Sequence, residues 1–137
     1  MSKSSREIIR DFYQRDLLND NQLIKDFFHK DISIYWNGSE GLTIMNINDL
    51  ESFINSIKKS YAELRVEISH LLAQRNFVTL RHNYYVRTYE NIDEEIGVAH
   101  FMAIWELKDG KIIRGHLITQ PASKNGDFGK GYEAVKI

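Results

Sequence analysis

Two histidines and two tyrosines are the residues of this chain best suited to chemistry: His82, His100, Tyr13 and Tyr84. A neutral imidazole takes a proton near neutral pH and a phenol polarises a carbonyl, so a His/Tyr pair supports enolisation or loss of water. His82, Tyr84 and His100 fall on the apolar parity of their strands, and Tyr13 reaches toward the same side from the first helix. His100 as general acid or base with Tyr13 as hydrogen-bond donor is the candidate catalytic pair. His82 lies about 13 Å along the sheet from His100, at roughly 3.3 Å per residue, so the two histidines do not act on one atom. A lone histidine on an apolar strand face is more often a hydrogen-bonded core residue than a catalyst. His70 and His82 without a carboxylate on their face make a poor metal site, and no metal or cofactor is expected. The chain has no cysteine, which excludes thiol nucleophiles, disulfides and thiolate metal sites. No Ser-His-Asp arrangement is identifiable, and Gly126, Gly129 and Gly131 neither follow a strand nor open a helix, so they form no phosphate loop.

The elements that must position these groups follow from periodicity. The segment Val98 to Gln120, VAHFMAIWELKDGKIIRGHLITQ, encodes a long β-hairpin turned by Asp109-Gly110, a type I′ signal. Pairing Lys108 with Lys111 in a regular ladder sets His100 opposite Thr119, Met102 opposite Leu117 and Ile104 opposite Gly115. That row is read as the pocket face. Phe101, Ala103 and Trp105 then fall on the other face, too apolar for water and expected to be covered by a partner. Leu64 to His70 and Val78 to Val86 alternate in the same way and supply two further strands.

Upstream, Ser4 and Glu7 form a capping box for a helix running to about Leu18, and a short helix follows Asp20. A strand from Asp31 to Asn37 closes at Gly38-Ser39-Glu40-Gly41, and a second capping box, Asn48 with Glu51, opens a third helix. Pro121 ends the last strand. The tail from Ser123 to Ile137 has little periodicity and is expected to be mobile or draped over another surface.

The 137 residues suit a single domain, with a core of about 4–121 and a tail of 122–137. Eighteen basic against nineteen acidic residues give a net charge of -1, which offers no broad attraction to nucleic acid or anionic lipid. No apolar run approaches a membrane span, and the first residues lack the apolar core of a signal peptide, so the expected location is cytoplasmic. Asn37-Gly38-Ser39 matches a glycosylation acceptor with no secretory signal to accompany it.

Helix, helix, strand, helix and then four long antiparallel strands ending in an Asp-Gly-Lys-Ile turn resembles the nuclear transport factor 2-like superfamily, and within it the SnoaL-like group. The resemblance covers about residues 4 to 121. It implies an α+β, cystatin-like cone, in which a strongly curved, mainly antiparallel sheet wraps around N-terminal helices. A pocket lies inside, and the convex face commonly forms a homodimer, here expected through Phe101 and Trp105. Relatives of ketosteroid isomerase type place a carboxylate base, a carboxylic acid and a tyrosine where this chain has Trp36, Met102 and Phe12 or Tyr13. SnoaL-like cyclases place an aspartate near Leu117. The familiar acids are therefore missing, whereas dehydratase-like relatives work through histidines and tyrosines. Fold analogy leaves the chemistry open.

The expected function is binding of a small apolar or aromatic organic molecule in a largely apolar pocket. Trp36, Met102, Ile104 and Leu117 would form its walls, His82, His100, Tyr13 and Thr119 would orient a polar group, and Tyr84 would also contact the ligand. An isomerase or dehydratase using His100 and Tyr13 is one alternative. A dimeric assembly module with a vestigial pocket is the other.

Overall fold

The computed structural model describes residues 3–122. The tail expectation for Ser123 to Ile137 lies outside the described residues. Three helices, α1 (Ser5–Gln14), α2 (Leu23–Phe27) and α3 (Ile47–Ser60), accompany six strands: β1 (Phe28–Gly38), β2 (Gly41–Met45), β3 (Tyr61–Gln74), β4 (Phe77–Thr88), β5 (Ile96–Lys108) and β6 (Lys111–Pro121). The strands form one mixed sheet in the order β2-β1-β6-β5-β4-β3. All neighbours are antiparallel except β1 and β6, which run parallel.

Local chemistry sets the helix ends. Ser4 and Glu7 make the expected capping box on α1. That helix ends at Gln14 rather than near Leu18, because the Asp16 carboxylate accepts the backbone N–H groups of Leu18 and Asn19 at 3.1 and 3.2 Å and holds a turn there. The cap of α3 is Asn46 with Asp49, two residues before the expected pair. Strand β2 was not anticipated. Four of its five residues are exposed, so its sequence carries no burial pattern.

The helices bury Ile9, Phe12 and Tyr13 of α1, Leu23 and Phe27 of α2, and Leu50 and Ile54 of α3 against Val78, Leu80, Ala103, Trp105 and Ile112 of the sheet. Asp109 and Gly110 both have positive φ, 54° and 78°, as a type I′ turn requires, and Lys108 does pair with Lys111. Beyond it the ladder departs from the regular pairing. Leu107 pairs with Ile112 and Glu106 with Arg114, which leaves Ile113 as an extra residue in a β-bulge.

One extra residue inverts which side chains share a face. His100 lies opposite Gln120, Met102 opposite Ile118 and Ile104 opposite His116, all on the convex side. Met102 and Ile104 are 57 % and 49 % exposed. The assignment of His100, Met102 and Ile104 to the pocket is therefore corrected. The same slip corrects the partner-facing assignment of Phe101 and Trp105, which point inward opposite Thr119 and Gly115. Trp105 is only 3 % exposed.

Candidate ligand-binding cavity

Between the concave face of the sheet and helices α1 and α3 lies a cavity of about 370 Å³. Strand β1 contributes Trp36, β6 contributes Leu117 and Thr119, and β5 contributes Phe101 and Trp105. Tyr84 of β4, Tyr13 of α1 and Phe53 of α3 complete the parts that matter chemically. No charged side chain and no histidine lines this cavity among the described residues.

Its polar atoms are few and positioned. The Trp36 indole N–H donates to Thr119 Oγ1 at 2.6 Å, joining β1 to β6 across the wall. The Trp36 ring meets the edge of Phe53 at a centroid distance of 5.3 Å and stacks on Phe101 at 6.2 Å. Deeper in, the Trp105 indole N–H donates to the Tyr13 hydroxyl oxygen at 3.0 Å. No acceptor for the Tyr13 hydroxyl proton occurs among the described residues, which leaves that proton available to a ligand. Burial, then the neighbouring Tyr84, pushes the Tyr13 phenol well above its usual range against the opposing effect of the Trp105 bond, and burial raises Tyr84 as well. Both phenols remain neutral donors.

His82 sits behind this wall. Its ring stacks on Phe101 at 5.2 Å and meets Tyr13 at 4.8 Å and Tyr84 at 5.3 Å. The side chain is fully buried, and neither ring nitrogen has a hydrogen-bond partner among the described residues. Burial lowers its pKa to about 3, so the imidazole is neutral.

Of the residues singled out from the sequence, the fold brings Tyr13, Trp36, Tyr84, Leu117 and Thr119 to one cavity and sets His82 against its wall. His100 is on the opposite side of the sheet, with Nδ1 2.6 Å from Asn83 Oδ1, and so shares no cavity with Tyr13. Phe101, Trp105 and Phe53 were missed as lining groups. The available signal for Trp105 was Gly115, since a large ring on a crowded concave face needs a cross-strand neighbour without a side chain.

A model of the SnoaL-like domain matches residues 8–115. The chain belongs to the SnoaL-like family. No curated protein matches it. Among solved structures it is similar to IdmH of Streptomyces antibioticus, a candidate polyketide cyclase, with 11 % identity over 96 % of this chain and 99 % of that one and a TM-score of 0.71. It is also similar to AclR of Streptomyces galilaeus, a candidate hydroxylase, with 14 % identity over 85 % and 88 % of the two chains and a TM-score of 0.69. A protein of ketosteroid isomerase-like fold from Catenulispora acidiphila, solved with trimethylamine, shares 12 % identity over 81 % and 83 % of the two chains, with a TM-score of 0.64. Likeness at these identities establishes the nuclear transport factor 2-like cone and leaves the chemistry to the side chains described above.

Proposed function

We propose that this SnoaL-like chain binds a small, largely apolar organic molecule, a ring system or branched chain, in the cavity beneath the sheet. The observation that carries this reading is the composition of the wall. A cavity of about 370 Å³ is within the usual range for small-molecule sites, and aromatic and aliphatic side chains surround it, with only Tyr13, Tyr84, Tyr61 and Thr119 among the described residues offering hydroxyls. The tyrosines orient a carbonyl or hydroxyl of the guest, and Trp36 and Phe101 pack on its ring faces.

Binding is favoured over isomerase or dehydratase chemistry because the wall offers hydrogen-bond donors without a proton acceptor. A phenol that polarises a carbonyl needs a base to take the α-proton, and no carboxylate or imidazole lines the cavity among the described residues. The test is a titration with a neutral naphthalene probe followed by tryptophan fluorescence. Wild type should saturate, whereas Leu117→Trp, which fills the cavity from β6, should weaken binding at least about tenfold while still melting cooperatively. Equal binding by both proteins would place the probe elsewhere and reject the reading.

The same proposal includes a homodimer through the convex face, with different residues from those first expected. Met102, Ile104 and Ile118 are exposed there, and the strand register places them on adjacent strands beside His116 and Tyr35. Such a contiguous apolar area on a sheet face is the usual mark of a partner surface.

A further inference from the structure

A second cleft, of about 920 Å³, opens between α1, the turn after it, and strands β3 and β4. Six residues line both it and the apolar cavity: Phe12, Tyr13, Leu17, Leu64, Tyr84 and Val86. The two spaces therefore adjoin along these residues, and the polar ones among them are Tyr13 and Tyr84. Unlike the inner cavity, this cleft is charged, and nearly all of its charges are accounted for.

Arg15 is bonded to Asp20 and, at 2.8 Å, to Asp26. Arg65 holds Glu67 at 2.8 Å and both carboxylate oxygens of Glu95 at 2.6 and 2.9 Å. Arg87 lies 3.4 Å from Glu63 and donates to the Ile92 carbonyl at 3.1 Å. Asp16 accepts the backbone N–H groups of the turn after α1 and the Asn19 amide. Arg10 alone of the charged groups lining the cleft has no ion pair or hydrogen bond among the described residues, and its Nε is buried without a partner. It stands one turn before Tyr13 and Gln14 on the same face of α1 and lines the cleft beside the residues common to both spaces.

A guanidinium held half-buried with unused donors is matched to a planar anion that accepts two parallel N–H bonds. We infer that Arg10 receives the carboxylate of a ligand whose apolar body occupies the inner cavity, so that the natural guest is an aromatic or alicyclic carboxylic acid. This rests on the binding reading above and names the class of ligand within it. A carboxylate is preferred to a phosphate because one guanidinium balances one charge, while a phosphate monoester carries nearly two and would face Asp16, Glu63 and Glu95 with the excess.

The experiment compares 2-naphthoic acid, its methyl ester and 2-naphthyl phosphate by isothermal titration against the full chain, Arg10→Gln and Arg10→Lys, each variant first checked by thermal melting. Wild type should bind the acid at least about tenfold more tightly than the ester, the usual scale of a charge-assisted bond. Arg10→Gln should abolish that preference while leaving ester affinity within about twofold, and Arg10→Lys should keep part of it. Ester binding with no acid preference, or a preference that survives Arg10→Gln, overturns the role of Arg10 and leaves the cavity reading intact. Tighter binding of the phosphate than of the acid overturns the carboxylate assignment. Failure of all three probes to bind overturns both readings.

Discussion

At the scale of single residues, Gly115 and His82 decide most about the cavity wall. A Cβ built on Gly115 would lie 2.3 Å from Trp105 Cζ3 and 2.6 Å from Cε3, so the indole rests where any other residue would put its side chain. Gly115→Ala should push the ring off the wall, break its bond to Tyr13 and cost about 2 kcal/mol, the ordinary penalty of overpacking. A thermal melt and the tryptophan emission spectrum report both effects. His82 contributes through its neutrality. Its folded pKa of about 3 lies below the unfolded value of about 6.5, so between these limits the unfolded chain binds more protons and stability rises with pH. Acidification through that window should therefore destabilise wild type by up to about 1.4 kcal/mol per pH unit from this group. His82→Leu should flatten the stability profile between pH 6.5 and 5 relative to wild type, as measured by denaturant titration, and unchanged slopes would show that the imidazole finds a partner.

At the scale of elements, the bulge at Ile113 separates what could be read in the sequence from what could not. The turn was legible because Asp109-Gly110 supplies two residues suited to positive φ. The strands were legible because burial imposes a period of two, and α1 because Ser4 and Glu7 form a reciprocal cap. A bulge carries no such mark. Its single extra residue moved His100, Met102 and Ile104 out of the pocket and Phe101 and Trp105 into it, while Leu117 and Thr119, beyond the bulge on β6, kept the inward facing expected of them. Half of the candidate wall was thus misplaced by one residue of register. Strand β2 was missed for want of burial, and the cap of α3 because Asn46/Asp49 and Asn48/Glu51 satisfy the same spacing. The bulge also predicts an asymmetry between deletions. Removing Ile113 leaves every later pair on β6 unchanged and should cost no more than about 2 kcal/mol, whereas removing His116 turns Leu117 and Thr119 to the wrong face and should abolish cooperative folding. Circular dichroism melts of the two variants test the contrast.

At the scale of the whole molecule, the proposed reading assigns the inner face of the sheet to a guest and the outer face to a partner. If the convex face forms the proposed dimer, wild type should sediment as a dimer at micromolar concentration, and Ile104→Asp with Ile118→Asp should yield a folded monomer, because two carboxylates cannot be buried there without partners. A monomeric wild type would reject that interface. The variant should still bind the naphthalene probe, since neither residue lines the inner cavity.

The parallel pairing of β1 with β6 reaches beyond the site. The indole of Trp36 bonds to a hydroxyl 83 positions later in the chain, and the first long strand has no lateral neighbour other than the short β2 until the last strand arrives. During synthesis the edge of β1 that pairs with β6 must therefore wait until nearly the whole described length has been made. The cavity wall closes only when β6 pairs with β1, and a guest that bridges Trp36 and Thr119 would act on that step of folding as well as on the finished protein.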